Sequence, residues 1–221
     1  MNMLESVISI FAPHTCISCG FEGEILCKQC WPKLGASPES CYICHKTTIG
    51  NSICDYCSAE TNLDQLWVRS SYGAVPKELI RLLKFNRAKS VSATLAVALT
   101  EIIPTNYQGT IVPIPTASSR RRLRGYDQAV LIAKELSRLT SLPYSPLLIR
   151  KGQSRQVGTQ KADRARQMAD AFRIRRTSKT DIAQVLLVDD VLTTGSTLEA
   201  AAKILKHAAI KRVDAAVFAR A

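Results

Sequence analysis

The sequence predicts an α/β fold, a mostly parallel sheet flanked by helices, with a small cysteine-rich module in front of it. Three observations predict this. The run Val185-Leu186-Leu187-Val188 is continuously apolar, as in a buried strand, and the helix-like run Leu198 to Ala208 follows closely. Strand-like and helix-like segments alternate from Leu66 to Phe218, the order a parallel sheet needs. All eight cysteines fall between residues 16 and 57. A length of 221 residues allows one main core and a small appendage. The chain is therefore expected to divide into a double zinc-ribbon-like cysteine module, residues 1–63, and an α/β domain, residues 64–221.

The cysteines form four C-x-x-C pairs: Cys16/Cys19, Cys27/Cys30, Cys41/Cys44 and Cys54/Cys57. Two residues between thiols let both sulfurs close on one ion, and two such knuckles complete a tetrahedral Zn²⁺ site. Eight thiolates therefore predict two structural zinc ions. Sequential sharing gives Cys16, Cys19, Cys27 and Cys30 one ion, and Cys41, Cys44, Cys54 and Cys57 the other; crossed sharing fits the spacing equally. His14 and His45 are surplus to a full thiolate set and read as surface residues. A disulfide framework needs an oxidising compartment, and nothing in the chain directs export. Iron–sulfur ligation fits these regular pairs less well than zinc-ribbon spacing does. A four-thiolate site has no open coordination position, so its zinc folds the module rather than catalyses. A module of about 45 residues buries too little core to stand without such a staple.

Hydrophobic residues make up 46% of the chain, ordinary for a soluble globular protein, and no run is long enough to cross a bilayer. The N-terminus lacks a basic region and a cleavage site, so it does not read as a signal peptide, and a cytoplasmic location is expected. Leu4, Val7, Ile8 and Phe11 share one helical face, suited to packing on the chain's own body. Residues 1–63 hold three basic side chains (Lys28, Lys33, Lys46) and six acidic ones (Glu5, Glu22, Glu24, Glu39, Asp55, Glu60), a balance of −3. The remaining 27 basic and 12 acidic residues give the second part +15, a surface suited to an anionic partner or to solubility alone.

Leu66 to Tyr72 reads as the opening strand. Ala74 to Phe85 reads as a helix with Leu79, Leu82 and Leu83 inward and Lys77, Arg81 and Lys84 on a basic face. Val91 to Ile103 is a second, apolar helix. Gly109 to Pro115 is a strand that ends in a proline-stiffened loop, Ser118 to Gln128. That loop carries Arg120, Arg121, Arg122 and Arg124 at a strand's carboxyl end, and arginine forks suit pyrophosphate or phosphodiester oxygens. These four, with Lys84, are the anion candidates. Gln128 to Leu139 is helical, with Ala129, Ile132, Ala133 and Leu136 on one face. Tyr144 to Ile149 is a short strand, Arg150 to Gln160 a polar loop, Lys161 to Phe172 a helix, and Phe172-Arg173-Ile174 extended. Val213 to Phe218 is expected to close the sheet.

The stretch Val185 to Leu198 carries the most chemistry. Asp189 and Asp190 end its strand, where open α/β sheets place ligands. Carboxylates there can accept hydrogen bonds from vicinal hydroxyls or help hold Mg²⁺. Thr193, Thr194, Gly195, Ser196 and Thr197 then offer backbone N–H groups and hydroxyls around one glycine, at the positive end of the next helix. A phosphate dianion fits such a loop without any lysine. A nucleoside triphosphatase would need a G-x-x-x-x-G-K-[ST] loop upstream, and the chain has none.

This stretch resembles the fingerprint of type I phosphoribosyltransferases, which bind 5-phosphoribosyl-1-pyrophosphate (PRPP). The resemblance implies that Asp189 and Asp190 meet the ribose hydroxyls and that Thr193 to Thr197 cradle the 5-phosphate. The cysteine module, the segment Val112 to Gln128 and the Asp189 to Thr197 loop occur in that order, and together they resemble the ComF family of competence-related proteins. Tyr72-Gly73, Leu83-Lys84-Phe85 and the Gln160, Arg164, Ala171-Phe172 segment also fit that pattern. The doubled knuckles exceed the single four-cysteine site expected of shorter members, and Gln167 stands where the family often has Asn. The resemblance implies a phosphoribosyltransferase-like fold, Mg²⁺-dependent PRPP binding and a role with single-stranded DNA in natural transformation.

Three readings follow. As an enzyme, the chain would transfer a phosphoribosyl group to an unidentified acceptor, with Mg²⁺, Arg120, Arg121, Arg122 and the loop from Arg150 neutralising the leaving pyrophosphate. As a DNA-handling factor, it would keep the PRPP pocket as a sensor or vestige and bind strands through phosphates, since few aromatics interleave with its arginines. The resemblance also implies that the zinc module could dock a protein partner, a helicase or DNA-processing protein of the uptake system. No side chain stands out as nucleophile or general base; His207 falls on the helix after the phosphate loop.

Overall fold

The computed structural model describes residues 14–151, 171–175 and 182–221. The expected N-terminal helix face, the loop beyond Lys151 and the helix from Lys161, with Gln160, Arg164 and Gln167, lie outside the described residues. Six strands and six helices are described: β1 (Gln65–Ser71), β2 (Thr110–Pro113), β3 (Leu148–Arg150), β4 (Phe172–Ile174), β5 (Gln184–Leu192) and β6 (Arg212–Arg220); and α1 (Asp55–Ser58), α2 (Ala74–Phe85), α3 (Val91–Thr100), α4 (Ser118–Arg124), α5 (Gln128–Thr140) and α6 (Ser196–His207). A short 3-10 turn spans Trp31–Leu34. No helix among the described residues is long and apolar enough to cross a membrane.

β1, β6, β5 and β2 form one all-parallel sheet in that order. β3 and β4 form a separate antiparallel pair. β5 pairs on both sides and is apolar on both faces, so it is covered front and back. Leu186 and Val188 join Ile111, Ala216 and Phe218 under α2, α3 and α5. Val185 and Leu187, one residue out of phase, join Val112, Val213, Ala215 and Val217 under α6 and the β3–β4 pair.

The cysteine module straddles the edge strand β1. Cys16, Leu26, Cys27, Cys30 and Leu34 pack with Trp67 on the first face. Tyr42, Ile53 and Leu63 pack with Leu66 and Val68 on the second. Glu101, just past α3, takes the Trp31 indole N–H at 2.7 Å and the Arg69 guanidinium at 2.8 Å. Arg220 donates to the Ser40 carbonyl at 2.9 Å and to His45 Nδ1 at 3.0 Å, so His45, exposed as expected, is also tied to the sheet. An edge strand leaves a row of backbone groups unpaired, and the module covers that row: Ser52 donates to the Leu66 carbonyl and Asn51 accepts from the Leu66 amide.

Four expectations change. The arginine segment is helical over Ser118–Arg124 rather than a loop; arginine and leucine favour helix, and Gly125 ends it at φ 80°. The motif strand runs past both acids to Leu192, because Val191 and Leu192 still pair with Ala219 and Arg220. The strand expected from Tyr144 starts only at Leu148; Pro143 and Pro146 interrupt it, and Tyr144 makes one isolated bridge to Ile111. The last strand does not close an edge but lies between β1 and β5.

Phe218 is fully buried on β6, at the centre of the first face. Phe218→Ala should cost about 3–5 kcal/mol in unfolding free energy, read from the denaturant midpoint. A loss below about 1 kcal/mol, the scale of surface changes, would contradict this packing.

Candidate functional site

The loop after β5 runs from Thr193 to Gly195, which takes φ 76° and precedes α6. That conformation is disfavoured for any residue with a Cβ. Thr193, Thr194 and Ser196 are exposed and Thr197 half-buried. Thr194 Oγ1 and Ser196 Oγ lie 3.0 Å apart, on the rim of the turn. No side-chain cap is made at the start of α6. The Ser196 amide lies 3.5 Å from Thr194 Oγ1, at the positive end of a 12-residue helix.

Asp189 and Asp190 lie on β5, opposite Val217 and just before Ala219 in the ladder. Asp190 is 4% exposed and forms an ion pair with Lys84, from the last turn of α2. Lys84 was expected among the anion ligands; its ammonium instead neutralises Asp190. Burial, and then the adjacent Asp190 carboxylate, push the Asp189 carboxyl well above the usual range. Asp189 Oδ1 accepts the Asp190 amide at 2.9 Å. A carboxyl so placed favours a neighbour that brings donors or positive charge.

Arg150 begins the polar loop that the sequence assigns, with Arg120, Arg121 and Arg122, to charge neutralisation. The structure brings it to the site from β3. Its guanidinium lies 5.3 Å over the Phe172 ring. Burial lowers its proton affinity, Asp189 and Asp127 oppose that, and Arg120 adds to it, so all three share its surroundings. The other arginines divide. Arg120, Arg121 and Arg122 are exposed on α4. Arg124 is half-buried, donates to Gln128 Oε1 at 2.9 Å and sits 5.5 Å from the centroid of Phe85. The rest of that motif is a latch. Asp127 accepts from the Thr116 amide at 2.8 Å and its hydroxyl at 3.0 Å, which fixes the turn after β2. Tyr126 donates to the Leu83 carbonyl, next to Lys84.

Beneath the loop lies a polar knot that the sequence did not single out. Glu199, in the first turn of α6, accepts from the hydroxyls of Tyr42 and Thr61 and, at 3.0 Å each, from the amide and side chain of Asn62. Burial raises the Glu199 carboxyl, but the bonds from Thr61, Tyr42 and Asn62 outweigh it and hold it below its ordinary value.

The eight cysteines gather sequentially. Cys16, Cys19, Cys27 and Cys30 bring their sulfurs within 4.8 Å of one another, and so do Cys41, Cys44, Cys54 and Cys57. The crossed arrangement is thereby excluded. The Cys19–Cys27 and Cys44–Cys54 sulfur separations of 3.6 Å are far beyond a disulfide bond, and all eight thiols are free. Burial opposes ionisation at Cys16, but amides of Cys27, Ser18 and Cys19 overcome it and bring the thiol down to about 6. Cys41 likewise overcomes burial through amides of Cys44, Cys54 and Ile43 and falls to about 6. The Phe21 amide lowers Cys19, yet its three sulfur neighbours push it up to about 12. Four sulfurs that stabilise one charge and resist the rest fit a divalent cation, and each cluster could hold Zn²⁺.

Residues 126–221 match the phosphoribosyl transferase domain family. A parallel sheet flanked by helices agrees with that fold, and the arginines of α4 precede the matched span. The chain is 28% identical over 227 residues to competence protein F of Haemophilus influenzae, an alignment covering 96% of this chain and 99% of that protein. It is 26% identical over 194 residues to competence protein ComFC of Bacillus subtilis, covering 82% and 78%. The crystal structure of adenine phosphoribosyltransferase from Leishmania tarentolae superposes with a TM-score of 0.34 at 14% identity, covering 63% of this chain and 74% of its own.

Glu199→Gln keeps the shape of the knot and removes its charge, so about 1–3 kcal/mol of stability should be lost at neutral pH. A depressed carboxyl stabilises the fold above its unfolded value and stops doing so as pH falls through the folded one. The gap between wild type and variant should therefore be widest above 4.5 and close in more acid solution. Thermal midpoints measured down the pH scale check this, and a gap that widens in acid would refute it.

Proposed function

We propose that this chain, a phosphoribosyltransferase-like member of the ComF family, binds PRPP at the carboxyl end of β5 and handles single-stranded DNA in the cytoplasm during natural transformation. The observation that carries the reading is the succession of two carboxylates and a hydroxyl-bearing turn along β5 and the start of α6. Two carboxylates near the carboxyl end of β5 are followed, after Val191 and Leu192, by a hydroxyl-bearing turn at the start of α6. Asp189 and Asp190 would accept the ribose hydroxyls, and Thr193, Thr194, Gly195, Ser196 and Thr197 would hold the 5-phosphate.

Mg²⁺ bound with PRPP would neutralise charge on the pyrophosphate. The carboxylates of Asp189 and Asp190 suit that cation, since burial and mutual repulsion leave Asp189 short of positive charge. Arg120, Arg121, Arg122 and Arg150 would supply further charge to the pyrophosphate, while Arg124, engaged with Gln128 and Phe85, would orient the helix that carries them. Breaking the bond from ribose to pyrophosphate needs charge stabilisation more than a nucleophile. Phosphoribosyl transfer to an acceptor is the reaction such a site supports. Two zinc ions in the four-cysteine clusters would staple the module to the sheet.

The DNA side of the reading rests on the +15 balance of residues 64–221 and on the names of the two competence relatives. The module, with its acidic balance, suits a docking role toward a helicase of the uptake system better than a grip on DNA.

Asp189→Asn combined with Asp190→Asn should leave the fold intact and lower PRPP affinity by at least about tenfold, as expected when charge-assisted hydrogen bonds are lost. Calorimetric titration with Mg²⁺ measures it, and unchanged affinity would sink the assignment. Oligonucleotide binding should weaken steeply with salt, with log affinity falling by about 0.7 per log salt for each phosphate contacted. Fluorescence anisotropy from low to moderate salt reads that slope, and a flat response would remove the DNA reading while leaving the PRPP reading in place.

A further inference from the structure

The two four-cysteine clusters are not equivalent in what they touch. The first packs with Trp67, Leu79 and Leu99, on the helix-covered face away from the phosphate loop. The second sits directly behind that loop. Tyr42 follows Cys41, whose side chain is fully buried. The Tyr42 ring lies against Gly195 so closely that a Cβ there would fall 2.8 Å from Tyr42 Cδ2 and nearer still to Cε2. Only a glycine hydrogen separates the loop backbone from the ring. The Tyr42 hydroxyl meets Thr61 Oγ1 at 3.0 Å and Glu199 Oε1, one turn into α6. Thr61 and Asn62, soon after Cys57, grip the same carboxylate. The residues beside the first and last cysteines of the cluster thus hold the loop from below and the helix from the side.

Tyr42 is itself held from behind. Its amide donates to the Ser52 carbonyl at 2.8 Å, and Arg220 reaches the Cys41 carbonyl at 3.3 Å. The Cys41 amide donates to the Lys46 carbonyl at 2.8 Å, and the cluster is a further restraint that ties this segment to Cys54 and Cys57. Four thiols at contact distance have no bond that closes Cys41 to Cys57; a tetrahedral metal supplies it. A phosphate loop works through pre-aligned amides, and a small displacement of its backbone weakens every one of them together.

We propose that the second four-cysteine cluster is the rigid backing of the phosphate loop, with Tyr42 as the positioning residue, so that the loop's grip on a phosphomonoester depends on the metal held by Cys41, Cys44, Cys54 and Cys57. The inference rests on reading the loop as a phosphate site. Tyr42 touches no ligand itself; it acts through Gly195 and Glu199.

The test titrates ribose 5-phosphate and PRPP into the zinc-loaded full chain and into Tyr42→Ala, Tyr42→Phe and a Cys44→Ser/Cys54→Ser variant. Metal content is measured in each, and amide hydrogen exchange of residues 193–199 is followed without ligand. Tyr42→Ala should keep both metals and fold, lose affinity for both ligands by about tenfold, and raise loop exchange by a similar factor. Tyr42→Phe, which keeps the ring and loses the hydroxyl, should fall between it and wild type. The cysteine variant should lose one metal and reproduce the Tyr42→Ala loss. Wild-type affinity and wild-type loop exchange in Tyr42→Ala would overturn the proposal, even if the cysteine variant fails to fold. Should wild type bind neither ligand, the phosphate reading falls and loop exchange alone decides. Raised exchange in Tyr42→Ala then upholds the backing role, and unchanged exchange overturns it.

Discussion

The double pairing of β5 is the constraint on which the rest of the structure depends. A strand bonded on both sides and buried on both faces has no freedom to shift register, because a one-residue slip would turn every side chain to the wrong face. Its carboxyl end is therefore a fixed point. Asp189, Asp190 and the turn to α6 inherit that position. Elements that converge on them, Lys84 from α2, Arg150 from β3 and Glu199 from α6, can meet them with definite geometry because the strand cannot move away.

The opposite need arises at β1. That strand pairs only with β6, and a sheet edge left open invites pairing with another chain. The cysteine module answers this by contributing one cluster to each face, with the alternation of Leu66, Trp67 and Val68 deciding which cluster each side chain meets. The module has little core of its own and borrows that of the sheet. The sheet in turn gains cover for its edge and, through Tyr42, a floor for the loop after β5.

What the sequence made readable was whatever is contiguous. The helix Ala74–Phe85, the buried strand, the turn around Gly195 and the spacing of the cysteine pairs all carry their signal within a few neighbours. What it hid depends on chain segments far apart. Tyr42 and Glu199 are 157 residues apart, and nothing local marks either one. Arg150 reads only as the first base of a loop expected to neutralise charge, and its place near Asp189 emerges when β3 is formed. Lys84 reads as a free cation because its buried partner belongs to another element. The sharing of cysteines between clusters was open for the same reason: spacing gives knuckles, and only the fold says which knuckles meet. The arginine segment failed differently. Its polar composition suggested a loop, yet arginine has good helix propensity, and Gly125 supplies the stop.

The charges at the site bear on what kind of ligand would fit the proposed function. On one side, Asp189 is a crowded carboxyl that gains from donors or a cation. On the other, the first turn of α6 offers amides and hydroxyls that gain from an anion. A simple anion satisfies the turn and leaves Asp189 as it was; a simple cation does the reverse. A molecule that carries hydroxyls at one end and a phosphate at the other satisfies both along one strand and one turn. Arg120 on α4 and Asp189 both act on the Arg150 guanidinium, so positive charge lies within electrostatic reach of the carboxylates. Hydroxyls between two anionic groups are the pattern of a doubly phosphorylated sugar, and under the proposed function that matching of both ends, rather than net positive charge, would be the physical basis for selectivity.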